Sequence, residues 1–156
     1  MIEQDLEAAL VGAIDGLGLD NCKVEGLWAA PQNGEVKLAE TAEHQAYVRV
    51  KAALREFETF SSTRAQVPLK VGLAVRQEWG ANAFKDFAGA IAELLQEYQL
   101  SLPAVKRDFA VSGFAPCGAR LAGGEADYDE ASGMYTAGWQ LDVRGHVSEA
   151  SETSEL

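Results

Sequence analysis

The segment Val67-Pro68-Leu69-Lys70-Val71-Gly72-Leu73-Ala74-Val75-Arg76 alternates apolar and polar residues without a break. In an extended chain Val67, Leu69, Val71, Leu73 and Val75 share one side, and Pro68, Lys70, Gly72, Ala74 and Arg76 share the other. Strict period-two alternation predicts a strand with one face on a core and the other toward water or a partner. Pro68 donates no N–H, so it fits near a strand start or on an edge. The same reading applies to Tyr135–Val147. There Tyr135, Ala137, Trp139, Leu141, Val143 and Val147 alternate with Thr136, Gly138, Gln140, Asp142, Arg144 and His146.

Two helices supply the surface that such strands need. Phe84, Phe87, Ala88, Ile91, Leu94, Leu95 and Tyr98 form one apolar stripe, with Asn82 as the expected N-cap. Near the start, Leu6, Ala9, Leu10, Ala13, Ile14 and Leu17 recur at three- and four-residue spacing. Glu3 and Asp5 fall in the first turn of that helix, where acids favour its dipole, and Gly16 and Gly18 end it.

The remaining segments read less sharply. Cys22–Trp28 predicts a short strand, and Pro31, Asn33 and Gly34 open a polar loop to Glu43. Ala46–Phe57 fits both a strand and a helix stripe; a strand is favoured because Val67–Val75 offers it a partner, with Phe60–Arg64 as the hairpin connection. Leu102-Pro103 reads as a stop, Arg107–Phe114 as a strand, and Cys117–Gly133 as a glycine-rich acidic loop or hairpin tip. The expected fold class is α+β, a mainly antiparallel sheet flanked by two helices in a single domain over residues 1–147, followed by an acidic mobile tail over 148–156.

Composition narrows the function. The chain has 156 residues, enough for one domain with its own core. Its net charge is -11, which repels nucleic acid and anionic membranes at long range. No apolar run approaches the ~20 residues that span a bilayer, so no membrane partner is expected. Met1–Asp5 lacks the basic start of a secretory signal.

Familiar chemistries find little material. Gly123-Gly124 is not followed by Lys-Ser/Thr, so no phosphate loop is expected. Asp127 and Asp129 match two positions of a calcium loop, but Ala131 and Ser132 fail the next two, which favours a solvated turn. Cys22 and Cys117 form no metal-binding pair and read as small core residues. Cys117 with His146 or His44, oriented by Asp142, makes a nucleophile only on paper. We assign no catalytic residue, metal or cofactor. Trp28, Trp79 and Trp139 suit core or rim, and Trp79 beside Gly80 is expected to be the most exposed.

Several strings resemble small tail-completion proteins of tailed bacteriophages. They are Met1–Leu10, the Pro68–Val75 strand leading into an Ala/Leu-rich helix, Phe114-Ala115-Pro116-Cys117-Gly118, and Trp139–Gly145 after an acidic loop. The resemblance runs to about Val147 and implies a tail terminator, a non-enzymatic ring of six copies on the tail tube. It implies the tail tube protein and the head–tail connector protein as partners, and location in the virion tail after assembly in the host cytoplasm. DNA then passes through the lumen without specific binding. Arg64, Arg120 and Arg144 are candidate partners for acids on a neighbouring subunit, with contacts on sheet edges and on loops at Pro31–Glu43, Ser61–Gln66 and Cys117–Gly133. Asp127, Asp129 and Glu130 either line the lumen or form a solvated loop. The alternative is an acidic type III secretion-type chaperone dimer, which closes with a helix where this chain closes with a strand; a small ligand-binding domain or enzyme is the third reading.

Overall fold

The computed structural model describes residues 1–28, 45–58 and 63–148. In chain order the elements are α1 (Ile2–Asp15), β1 (Cys22–Gly26), β2 (Ala46–Ala52), β3 (Glu56–Phe57), β4 (Arg64–Arg76), α2 (Gly80–Leu100), α3 (Leu102–Phe109), β5 (Phe114–Asp129) and β6 (Met134–Val147). They form one six-stranded sheet in the order β1-β2-β4-β6-β5, with β3 also paired to β4. Only β1 and β2 run parallel. The fold is α+β with a mainly antiparallel sheet in a single domain, as the alternating segments predict.

The two segments with the clearest alternation become the central pair. β4 and β6 pair without a slip from Arg64↔His146 to Arg76↔Met134. Val67, Leu69, Val71, Leu73 and Val75 meet Val143, Leu141, Trp139, Ala137 and Tyr135 on one face. All three helices pack on that face. Leu6, Leu10 and Ile14 of α1, Ile91, Leu95 and Tyr98 of α2 and Val105 and Phe109 of α3 join the same buried cluster. Each large side chain there contributes about 1.5–3 kcal/mol on burial.

Pro68 is tolerated inside a central strand for a local reason. The β2 ladder on β4 ends at Ala52↔Leu69, and β3 resumes only at Glu56↔Gln66. At Pro68 that flank carries no strand partner, so a missing N–H breaks no ladder bond. Its carbonyl accepts the Ala53 N–H at 2.8 Å. The segment Ala46–Phe57 is thus a strand, interrupted opposite the proline.

Three expectations are corrected. Residues 102–109 are a helix, α3, which takes the first three residues of the predicted Arg107–Phe114 strand, and only Phe114 at its end is in a strand, β5. Ser101 Oγ caps it by accepting the Ala104 N–H at 3.3 Å, and Pro103 sits in its first turn, where proline starts a helix rather than stopping one. Among the described residues the sheet therefore carries three α-helices, not two. The predicted loop Cys117–Gly133 is mostly the strand β5, and only Glu130–Gly133 turn. The third concerns the start of α2, which begins at Gly80 with no side-chain cap, so Asn82 lies within its first turn. The expected Pro31–Glu43 loop, most of the hairpin connection before Arg64 and most of the expected tail lie outside the described residues.

β5 follows β6 by means of two irregularities, at Pro116/Gly118 and Gly123/Glu125. Gly123 and Gly124 have φ of +92° and +100°, which suit glycine. A Cβ on Gly123 would lie 2.6 Å from the Gly138 carbonyl oxygen. A Cβ on Gly72 would meet nothing within 4 Å. Gly123→Ala is therefore expected to lower stability by about 1–3 kcal/mol in urea denaturation, with Gly72→Ala within about 0.5 kcal/mol of the parent.

Two acids of α1 do more than favour its dipole. Glu3 and Glu7 are almost fully buried. Glu7 accepts the backbone N–H groups of Leu27 and Trp28, the latter at 2.9 Å, and so fixes the chain after β1. Glu3 accepts the Arg55 N–H at 3.2 Å and faces its guanidinium at 3.6 Å, which fixes the break between β2 and β3. Burial raises the Glu7 carboxyl above its ordinary 4.5, against the opposing pull of its backbone hydrogen bonds. A raised folded value means that this stabilisation is complete below the unfolded value and fades as pH rises through the folded one. From pH 4.5 to neutrality, the stability difference between the parent and Glu7→Gln should move against the parent. A constant difference in urea titrations would show that Glu7 titrates alike in the folded and unfolded chain.

Candidate assembly surface

Among the described residues the sheet has helices on one face only, and the charged residues of its strands lie on the other. The register sends Lys23, Arg49 and Lys51 to the helix-free side, with Arg64, Lys70 and Arg76 of β4. Arg120 and Arg144 join them from β5 and β6. Among the described residues every strand-borne lysine and arginine thus faces away from the helices, eight of the chain's thirteen. A molecule of net charge -11 therefore concentrates its cations on one side of a sheet. This follows from the alternation itself, since the apolar partners in each strand take the core side.

The candidate residues named from sequence separate into two groups on this face. Arg64 lies opposite His146, and Arg144 lies opposite Gln66 and Gly118. Arg120 lies opposite Asp142 in the next row. Arg64 Nη1 is 3.6 Å from Glu58 Oε2, and Arg144 Nε donates to Gln66 Oε1 at 3.3 Å. Arg120 and Arg144 share a hollow of about 560 Å³ with Cys117 and Gln99. The acids gather at the far end of the β5–β6 hairpin. Asp127 pairs with Thr136 and Asp129 with Met134, and Glu130 opens the turn. The structure brings the three arginines to one end of the face and the three acids to the other.

The acidic end is a folded strand end and turn. Asp127 Oδ1 accepts the Tyr128 N–H at 2.8 Å. Asp129 accepts the Ala131 N–H at 3.1 Å and the Ser132 hydroxyl at 2.9 Å. Tyr128 packs against Tyr135, with ring centroids 5.1 Å apart, and its hydroxyl lies 2.8 Å from Gln77 Oε1. These bonds hold the carboxylates on a fixed scaffold. Among the described residues no group of three or more His, Cys, Asp or Glu side chains is arranged to hold a metal ion.

Among the described residues β5 also forms an outer edge of the sheet, with β6 as its one strand partner. From Ala122 to Glu130 every residue is exposed. On its outward side Leu121 N–H donates to Gln99 Oε1 of α2 at 2.7 Å. Beyond that contact the edge presents main chain that another strand can pair with.

Sequence reasoning missed Lys51 and Lys70. Both are exposed, and they stand directly opposite each other across β2 and β4. The signal for Lys70 lay in its place on the polar side of Val67–Val75. The register that sets Lys51 against it is not local and cannot be read from either segment alone. The tryptophans also differ from expectation: Trp139 is buried, Trp79 packs on Phe87 at 5.7 Å, and Trp28 is the most exposed at 40%. Trp28 Nε1 donates to the Ala52 carbonyl at 3.1 Å.

The two cysteines are not equivalent. Cys22 packs against the core, and burial, with the charge of Asp15, pushes its thiol up to about 11. Cys117 is exposed on β5, contrary to its reading as a core residue. His44, one of its sequence-level partners, lies outside the described residues. Away from this face, Asp108 accepts from Tyr98 at 2.6 Å and from Arg107 at 2.9 Å, which holds its carboxyl below the usual range.

No protein-family model matches the chain, and no curated protein matches it. No helix among the described residues is long and apolar enough to cross a membrane. Native-state alkylation should modify one thiol quickly, and Cys117→Ser should abolish that phase. Rapid modification of Cys22 in the folded chain would contradict its packing.

Proposed function

We propose that this chain is a structural subunit of a bacteriophage tail, a terminator that closes into a ring on the finished tail tube. The observation that carries this reading is the sixteen-residue β5, an outer strand exposed along its second half. Such an edge is suited to main-chain pairing with a neighbouring copy, which asks for shape and backbone rather than a motif. The resemblance of Met1–Leu10, Pro68–Val75 and Trp139–Gly145 to tail-completion proteins supports it, as does the α+β sheet that carries these segments.

In this reading the ring stops tube growth and offers its other side to the head–tail connector, with no covalent chemistry. A net charge of -11 keeps passing DNA from sticking to the ring. The work lies in symmetric protein contacts.

Electron microscopy of the purified chain mixed with tail tubes tests the proposal. The expected image is a ring on one end of each tube, with growth halted when subunits are added to a polymerising tube. Decoration along the tube wall, no association, or a particle with the mass of a dimer would overturn it.

A further inference from the structure

Lys51 and Lys70 face one another across β2 and β4, where like charges repel. Neither has an ion pair or hydrogen bond among the described residues. Beside them Gly72 and Gly138 are cross-strand partners, and both are exposed. With two side chains missing, the sheet dips into an open hollow of about 580 Å³ floored by Val71, Gly72, Gly138 and Trp139. Two ammonium groups thus border a concave patch shallow enough for another main chain to lie across.

The chain carries the opposite charge elsewhere on the same face. Glu125 pairs with Gly138 and Asp127 with Thr136, so both point to the helix-free side, with Asp129 and Glu130 following at the turn. None of these four acids has an ion pair among the described residues. β5 is two strands from β4, about 10 Å at ordinary sheet spacing, and no ion pair joins the two patches within one chain among the described residues. Copies of net charge -11 repel at long range. A contact that sets the acidic end of one against the cationic hollow of the next reverses that repulsion locally and fixes orientation.

We propose that the hollow bordered by Lys51 and Lys70 receives the acidic end of the β5–β6 hairpin, Glu125–Glu130, of a second copy of this chain. The inference rests on the reading of the chain as a self-assembling ring subunit. Donor and acceptor are different patches, so the contact passes from copy to copy and closes where the rotation allows.

Charge reversal in the full chain tests it, read by sedimentation velocity and by capping of tail tubes. Lys51→Glu with Lys70→Glu should weaken self-association about tenfold or more, as should Glu125→Lys with Asp127→Lys. All four positions are exposed, and circular dichroism checks that both variants fold. Neither variant should assemble alone, whereas an equimolar mixture should assemble with the two chains alternating. Gly72→Leu fills the hollow without changing charge and should also block assembly. Assembly of the lysine double variant within about twofold of the parent would overturn the inference and leave the ring reading standing. A parent chain that stays monomeric at high concentration and on tubes would overturn both. Loss of short duplex DNA binding in the lysine variant, with self-association unchanged, would make the hollow a nucleic-acid site and overturn the inference.

Discussion

The uninterrupted ladder between β4 and β6 is the constraint on which the other elements depend. Thirteen consecutive residues of β4, Arg64–Arg76, find partners in β6 without a slip. A slip of one residue would exchange Leu69 with Lys70 and Leu141 with Gln140 across the sheet. Burying two polar side chains under α2 while exposing leucines is costly enough to forbid it. Once that register holds, β2 and β5 add on either side, and the helices have one apolar face to cover. The face left without helices among the described residues, and the charged side chains it carries, are therefore by-products of core formation.

What was legible in the sequence follows the same logic. β4, β6, α1 and α2 each bury one side and leave the other wet, so their periodicity is written in residue type. β5 has no such contrast. From Ala122 to Glu130 it is exposed on both faces, and its strand character comes from β6 as a partner. α3 is short, and its apolar residues Val105 and Phe109 are too few to mark a period, while Leu102-Pro103 reads equally as a helix end or a helix start. Among the candidate residues, the shared face of Arg64, Arg120 and Arg144 depends on strand alternation, which sequence reaches. The opposition of Lys51 and Lys70 depends on pairing between segments about twenty residues apart, which it does not.

The buried acids show a second kind of illegibility. Glu3 and Glu7 occupy positions that any surface helix gives to glutamate. Their use is to accept backbone N–H groups from segments 20 to 52 residues away. Backbone donors leave no trace in residue identity, so nothing in the sequence marks these carboxylates as internal. They tie the first helix to the two least regular parts of the sheet, the end of β1 and the break opposite Pro68.

The glycine pair in β5 decides something larger than a local bend. Gly123 lies opposite Trp139, and Glu125, two residues on, lies opposite Gly138, so Gly124 is an extra residue that the partner strand does not match. That single insertion changes the parity of everything after it. With the strand kept in phase, Glu125, Asp127 and Asp129 would aim at the helices, and Ala126 and Tyr128 would aim outward. One unmatched glycine thus assigns three carboxylates to the outside of the molecule, and the polarity of a whole strand end is inherited from the count of its residues rather than from their kind.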